Sequence, residues 1–144
     1  MDQKLPPEDR AKRNDMNILG IDFGTKRIGL AWVQTGLDVI LPFGVVEQVP
    51  GRTIPEKLLS LIEKENINTL VIGLPLTLED GTENPNTKRV RVFGDAIEKA
   101  TGLPVVFVDE RLTSFEADEM GGEASRDEKA AMVILQEYTQ EHHS

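Results

Sequence analysis

Asn17-Ile-Leu-Gly-Ile-Asp-Phe-Gly24 is a short apolar run that ends in an acidic side chain and a glycine. The alternation of a β-strand places Ile18, Gly20 and Asp22 on one face and the intervening residues on the other. Because the strand is otherwise apolar, an ionised carboxylate at its end needs a partner or a metal ion. Asp22 is therefore either a cap for the following turn, a common use of aspartate, or part of a functional site.

The residues around this segment predict an α/β domain. Three apolar stretches separated by short turns predict an antiparallel meander, and the rest of the chain alternates between helix and strand. Helical crossovers of this length make the last two strands parallel, so we predict a mixed five-stranded sheet flanked by helices. The predicted strands cover residues 17–23, 28–33, 44–49, 69–74 and 104–108, and the predicted helices cover residues 54–65, 85–100, 114–120 and 126–138.

Length and composition indicate one globular domain. The chain has 144 residues, of which 39% are hydrophobic and 28% charged, which is typical of a soluble protein. We expect residues 1–15 to form a disordered polar leader, 16–141 a single domain and 142–144 a frayed tail. No apolar run is long enough to span a membrane, and the absence of cysteine excludes disulfides and thiolate metal sites. A cytoplasmic location is expected.

The net charge of the chain opposes unspecific attraction to nucleic acid. Sixteen basic against twenty-five acidic residues give a charge of −9. The excess is concentrated in residues 109–144, which contain ten acidic and three basic residues. Acids that ligate a metal ion would have their charge offset by the cation. The composition is therefore compatible with a metal-dependent enzyme that acts on nucleic acid.

Two consecutive acids, Asp109 and Glu110, follow the strand predicted at 104–108. Alternation sends their side chains to opposite faces, so only one of them can share a face with Asp22. The alternative is a surface ion pair at the strand end, which contributes little to stability. Gly73, near the end of the strand over 69–74, would leave room for ions or a phosphate if that strand lies between the other two.

A further acid, Asp127, lies at the second position of the helix predicted from residue 126. Ser125 and Glu128 have the spacing of a capping box that begins this helix. The residues four, seven and eleven positions after Asp127 are apolar or aromatic, which places it at the head of the buried face. Gly20 and the alanines at 130–131 would permit close approach of the helix to the sheet. The alternative is an acid that complements the helix dipole.

Carboxylates in this arrangement suit Mg²⁺ or Mn²⁺, because hard cations prefer oxygen ligands and need no histidine. Two such ions can activate a water molecule and stabilise the leaving oxygen in phosphodiester cleavage. Basic residues nearby would position the phosphates, although the alternative for those on the helix is a solvated face. The candidate substrate-binding residues are Thr25, Lys26, Arg27, Lys88, Arg91 and Arg111.

Four motifs in this order resemble the YqgF family of RNase H-like proteins, described as Holliday junction resolvases and as nucleases that mature the 16S ribosomal RNA precursor. The motifs are GIDFGTKRIGLA at 20–31, GLPL at 73–76 with DGT at 80–82, VDERLTS at 108–114 and AAMVILQ at 130–136. The resemblance implies that Asp22, Glu110 and Asp127 are the catalytic, metal-binding acids. It also implies that the first strand is central in the sheet.

The sequence departs from the family pattern at residues 119–126, which are short and acidic where members typically carry a longer basic segment. Expected phosphate contacts are missing there. A metal-dependent nuclease for structured RNA, acting at the 5′ end of the 16S precursor, is the leading hypothesis. The alternatives are a resolvase of branched DNA and a non-catalytic nucleic-acid or ribosome-assembly factor. The sequence does not distinguish RNA from DNA, or a monomer from a homodimer.

Residues 22–25 also look like the first phosphate loop of actin-like sugar and acetate kinases. Those enzymes need two lobes that close on ATP, and one domain of 144 residues is too short for two lobes. The kinase hypothesis is therefore set aside.

Overall fold

The computed structural model describes residues 16–34, 36, 39–77, 79–110 and 124–142. The expected leader, the helix predicted over 114–120, the candidate Arg111 and most of the acidic segment 119–126 lie outside these residues. The described elements are β1 (Asn17–Phe23), β2 (Arg27–Gln34), β3 (Ile40–Glu47), α1 (Glu56–Lys64), β4 (Thr69–Leu74), α2 (Pro85–Thr101), β5 (Val105–Asp109) and α3 (Arg126–His142).

The strands form one mixed five-stranded sheet in the order β3-β2-β1-β4-β5. The first three strands pair antiparallel, while β1 with β4 and β4 with β5 pair parallel. The predicted meander, the two parallel strands and the central first strand are confirmed. Because the carboxyl ends of β1, β4 and β5 lie at one edge of the sheet, Asp22 and Glu110 come to the same edge.

Strand β3 begins earlier than predicted. The apolar stretch 44–49 predicts a strand there, but the strand is Ile40–Glu47. Pro42 is tolerated because β3 is an edge strand, where a missing backbone donor breaks no ladder. Gly44 has a φ of 104° next to a register shift against β2, which is a β-bulge. The proline and the glycine of the bulge interrupt the apolar pattern, so the first half of this strand was not predicted from the sequence.

Helices cover both faces of the sheet and complete two apolar cores. Helices α1 and α2 pack on one face of the sheet, through the apolar residues whose helical spacing predicted these helices. Of the described helices, α3 is the one that packs on the other face. The first core contains Leu19, Ile21, Leu58, Ile62, Phe93 and Ile97, among others, and the second contains Ile18, Val71, Ala131, Ile134 and Leu135. None of the described helices has both the length and the apolar character that crossing a membrane requires.

Helix α3 lies close against the sheet because glycines face it. A Cβ atom at Gly20 would lie 2.5 Å from Cγ of Leu135 and 2.9 Å from the carbonyl oxygen of Ala131. A Cβ atom at Gly29 would overlap the backbone of Asp127. The expected close approach at Gly20 is confirmed, and Gly29 adds a contact at the helix start.

The start of α3 is fixed by Glu128. The backbone N–H of Ser125 donates to Oε1 of Glu128 over 2.9 Å, and the N–H of Glu128 donates to Oγ of Ser125 over 3.2 Å, which confirms the capping box. Oε2 of Glu128 also accepts the N–H of Gly44 in the bulge over 2.7 Å. These bonds lower the pKa of Glu128. The neighbouring Asp127 is thereby held at a defined place against β2.

Candidate active site and nucleic-acid interface

Asp22 and Glu110 lie together at the carboxyl edge of the sheet, on the face covered by α3. Asp22 ends the central strand and Glu110 follows β5, and their carboxyl groups are within hydrogen-bonding distance. Both residues are partly buried. Of the two acids after β5, Glu110 is the one that meets Asp22. Strand alternation allowed only one of them to do so, and the family resemblance indicated Glu110.

Burial and crowding raise the pKa of both carboxyl groups. Desolvation is the main cause that raises the pKa of Asp22 to about 8, followed by the charge of Glu110, the hydrogen bond to it and the charge of Asp127. Desolvation also raises the pKa of Glu110, although the hydrogen bond from Asp22 lowers it in part and the charge of Asp109 raises it. Without a cation, the Asp22–Glu110 pair therefore shares a proton near neutral pH.

Glycines on the strands beside β1 make room for these acids. Gly29 is the register partner of Asp22 on β2. A Cβ atom at Gly73 on β4 would lie 2.5 Å from Oε1 of Glu110 and 2.5 Å from Cδ1 of Ile134. The strand of Gly73 does lie between the other two. The Glu110 carboxyl group occupies the space that Gly73 leaves. The sequence had predicted ions or a phosphate in that space.

Asp127 lies near the Asp22–Glu110 pair but is bound to a basic side chain, that of Arg27. Its charge contributes to the raised pKa of Asp22, while its Oδ2 accepts a hydrogen bond from Nε of Arg27 over 2.8 Å. Arg27, a candidate phosphate ligand, is thus an ion-pair partner in this structure. In the part of the chain that the structure describes, no three Asp, Glu or His side chains are arranged to hold a metal ion together.

The Asp22–Glu110 pair is a suitable donor set for a hard divalent cation. Its ligand atoms are carboxylate oxygens, and a positive ion would favour the charged forms that burial disfavours in both groups. One oxygen of the Asp127 carboxylate, Oδ2, is engaged by Arg27. The structure thus brings two of the three predicted acids together and holds the third beside them.

The other candidate substrate-binding residues separate into two groups. Thr25, Lys26 and Lys88 line one cavity beside the turn after β1. Arg91 is paired instead with Glu83: its Nη2 lies 2.6 Å from Oε2, which lowers the pKa of Glu83. Its guanidinium carbon also lies 5.3 Å from the centre of the Phe107 ring.

Sequence reasoning missed several residues near the site. Gly29 interrupts an apolar strand, a pattern that often marks a close backbone approach and could have drawn attention to it. Phe23, Arg52 and Val92 line the cavity with the three predicted residues. They come from separate segments of the chain, and no local pattern connects them.

The chain is similar to proteins that are named as nucleases. The model of a family described as "RuvX: Holliday junction resolvase" matches residues 16–141. A protein of Maridesulfovibrio salexigens named "Putative pre-16S rRNA nuclease" is 38% identical over 130 residues, which cover 84% of this chain and 96% of that protein. A protein of Dictyoglomus thermophilum with the same name is 36% identical over 133 residues, 85% of this chain and 94% of that protein.

Solved structures share the fold at low sequence identity. The Thermus thermophilus RuvC structure matches with a TM-score of 0.54 and 13% identity, covering 88% of this chain and 97% of that one. The fowlpox virus Holliday junction resolvase matches with a TM-score of 0.56 and 10% identity, covering 88% and 99%. At such identities the likeness establishes the RNase H-like, resolvase-type fold alone.

Proposed function

The chain belongs to the RuvX family, and from that membership we propose that it is a metal-dependent nuclease that hydrolyses phosphodiester bonds at the 5′ end of the 16S ribosomal RNA precursor. RuvX and YqgF name the same family, so the resemblance seen in the sequence is confirmed. The RNA substrate is proposed because the relatives at 38% and 36% identity are named for that precursor. Such an enzyme would act in the cytoplasm.

The observation that carries the proposal is the pair of carboxyl groups on Asp22 and Glu110. Two partly buried acids with raised pKa values that lie next to each other are a frequent signature of a functional site. A structural role explains them poorly, because burying adjacent carboxyl groups without a cation is unfavourable for folding.

Asp22 and Glu110 would hold Mg²⁺ or Mn²⁺, with Asp127 as a third ligand after release from Arg27. When bound, such a cation supplies positive charge that polarises a phosphate and lowers the pKa of a coordinated water molecule. The residues of the chain itself would bind the cation and orient the substrate phosphate. Arg27, once free of Asp127, could contact a phosphate oxygen of the substrate.

The test is cleavage of a 16S precursor transcript with Mg²⁺ or Mn²⁺ by the wild-type chain and by Asp22→Asn and Glu110→Gln. We expect either substitution to reduce the rate by about a hundredfold or more, because each removes a charged ligand from the site. Asp109→Asn is the matched control, since its carboxyl group points to the other face of β5. Wild-type rates in both site variants, with folding verified by circular dichroism, would refute the proposal.

A resolvase of branched DNA is the second candidate, and the description of the matching family favours it. A resolvase would work as a homodimer that presents two sites to a four-way junction. The same assay with a four-way DNA junction separates the two: faster cleavage of the junction than of the precursor RNA would favour the resolvase.

A non-catalytic nucleic-acid or ribosome-assembly factor is the third candidate. It is favoured by the Arg27–Asp127 pair, since one carboxylate oxygen of the third acid is then engaged by a basic side chain. Binding of the precursor RNA without cleavage under any metal condition would support this candidate.

A further inference from the structure

A cavity of about 750 Å³ lies beside the turn between β1 and β2. Phe23 lines it and packs with the core of α1 and α2, so the cavity lies on the face of the sheet opposite Asp22. Its walls also include Val49 and Val92, which are 45% and 63% exposed. Large apolar side chains exposed around a concave surface are typical of a binding site.

The walls of this Phe23 cavity are held by hydrogen bonds between the segments that form it. The backbone N–H of Gln48 donates to the carbonyl oxygen of Lys26 over 2.9 Å, and its side-chain Nε2 donates to the carbonyl oxygen of Gly24 over 2.8 Å. These bonds join the end of β3 to the turn after β1. The cavity is therefore formed before any ligand enters.

The charge of the lining is opposite to that of the protein. Among the described residues, the cavity is lined by the basic side chains of Lys26, Arg52, Lys88 and Arg89 and by no acidic one, although the chain carries a net charge of −9. Arg89 donates to Oδ1 of Asn86 over 2.7 Å. Within the described ranges, the side chains of Lys26 and Arg52 have no ion-pair or hydrogen-bond partner. These cations are available to an anionic ligand.

An aromatic ring faces the same space. The rings of Phe23 and Phe93 pack with centroids 4.7 Å apart, and Phe93 is only 1% exposed whereas Phe23 is partly exposed. Phe93 therefore packs against the buried side of the Phe23 ring and restricts its motion. The exposed part of the Phe23 ring can contact a ligand in the cavity. Unpaired bases stack on rings presented in this way, and adjacent cations bind their phosphates.

We propose that the Phe23 cavity binds an unpaired base and a phosphate of a nucleic-acid strand whose neighbouring segment lies at Asp22. Phe23 and Asp22 are consecutive in β1 and point to opposite faces, so the turn after β1 is the rim that the strand crosses. The inference rests on the proposed function and narrows its substrate to a strand with unpaired nucleotides beside the cleaved bond. An acidic peptide would satisfy the cations but would leave the ring without a stacking partner.

The test is binding of the full chain, in EDTA so that no cleavage occurs, to fluorescein-labelled oligouridylate and to an abasic ribose–phosphate oligomer of equal length. We expect the oligouridylate to bind about tenfold more tightly, because only it can stack. Phe23→Leu should abolish that preference and leave binding of the abasic oligomer unchanged. Arg52→Ala should weaken binding of both and reduce the salt dependence by about one phosphate contact.

Two controls isolate the cavity. Phe43→Leu alters the ring that stacks on Trp32, outside the cavity, and should retain the preference for bases. If Phe23→Leu does not fold, Val92→Asp replaces it, with Val39→Asp as its control because Val39 is 53% exposed elsewhere. Equal binding of the two oligomers by the wild-type chain, an unchanged preference in Phe23→Leu, or binding of oligouridylate by Val92→Asp as tight as by Val39→Asp, would overturn the inference.

Tighter binding of polyglutamate than of oligouridylate would also overturn it and would assign the cavity to a protein partner. Failure of the nuclease proposal gives a different result: base-dependent binding would persist while the wild-type chain cleaves neither precursor RNA nor a DNA junction.

Discussion

Arg27, the first residue of β2, binds Asp127, the second residue of α3, through a hydrogen bond of 2.8 Å between residues 100 positions apart in sequence. The Arg27 side chain is 59% exposed and that of Asp127 is 31% exposed. An ion pair with this much solvent contact contributes about 0–1 kcal/mol, so little free energy opposes its exchange for another partner. A cation at Asp22 and Glu110 could therefore recruit Asp127 and release Arg27 toward a phosphate.

Removal of Arg27 should strengthen cation binding. In Arg27→Ala, Asp127 has lost its basic partner and a positive charge has left the site, so we expect Mn²⁺ to bind several-fold more tightly in isothermal titration calorimetry. Arg91→Ala is the matched control, because it also breaks an arginine–carboxylate ion pair, the one with Glu83, but on α2 and not on α3. An affinity in Arg27→Ala equal to that of the wild-type chain would show that Asp127 takes no part.

Divalent cations should stabilise the folded chain through the two buried acids. At a Mg²⁺ or Mn²⁺ concentration a hundredfold above Kd, the stabilisation is about 2.7 kcal/mol and is visible as a rise in Tm. Asp22→Asn and Glu110→Gln should lose the rise. Asp109→Asn should keep it. A rise of equal size in all four proteins would place the cation elsewhere.

The metal-free chain should lose stability as the pH rises toward 8. The pKa of Asp22 is about 8 in the folded chain and near 3.8 when unfolded, so the stabilising contribution of its protonated form is complete below about 4 and is lost as the pH passes through 8. In urea unfolding with EDTA, the free energy of unfolding of Asp22→Asn should therefore rise relative to that of the wild-type chain, by more than about 1 kcal/mol between pH 4 and pH 8. A difference that is constant over this range would contradict the raised pKa.

Replacement of Gly29 should displace the start of α3. A Cβ atom there overlaps the Asp127 backbone, which cannot move without disturbing the packed helix, so we expect Gly29→Ala to cost about 2 kcal/mol or more in urea unfolding. Gly102→Ala is the comparison: Gly102 has a φ of 74°, and an added Cβ atom would meet nothing within 4 Å among the described residues beyond its chain neighbours. Only backbone strain of about 1 kcal/mol therefore applies. Equal destabilisation by Gly29→Ala and Gly102→Ala would mean that the start of α3 can move away from the added Cβ atom at little energetic cost.

The elements of the fold were predictable because their patterns are local. The strands Asn17–Phe23 and Thr69–Leu74 were predicted with the observed bounds, since a continuous apolar run between turn residues is visible without any tertiary contact. Strand β3 was displaced in the prediction because Pro42 and the bulge at Gly44 obey the geometry of a sheet edge. That geometry exists only once β2 lies beside it.

The sequence by itself determined which acids can meet: strand alternation puts Asp22 and Glu110 on matching faces, and the family resemblance selected Glu110 over Asp109. Only the tertiary structure decided that Glu110 fills the space over Gly73, that Arg27 holds Asp127, and that Phe23 and Val92 line one cationic cavity. The reason is physical. Strand and helix periodicity act between neighbours in the chain, whereas these contacts join segments that meet only after the sheet and its helices have packed.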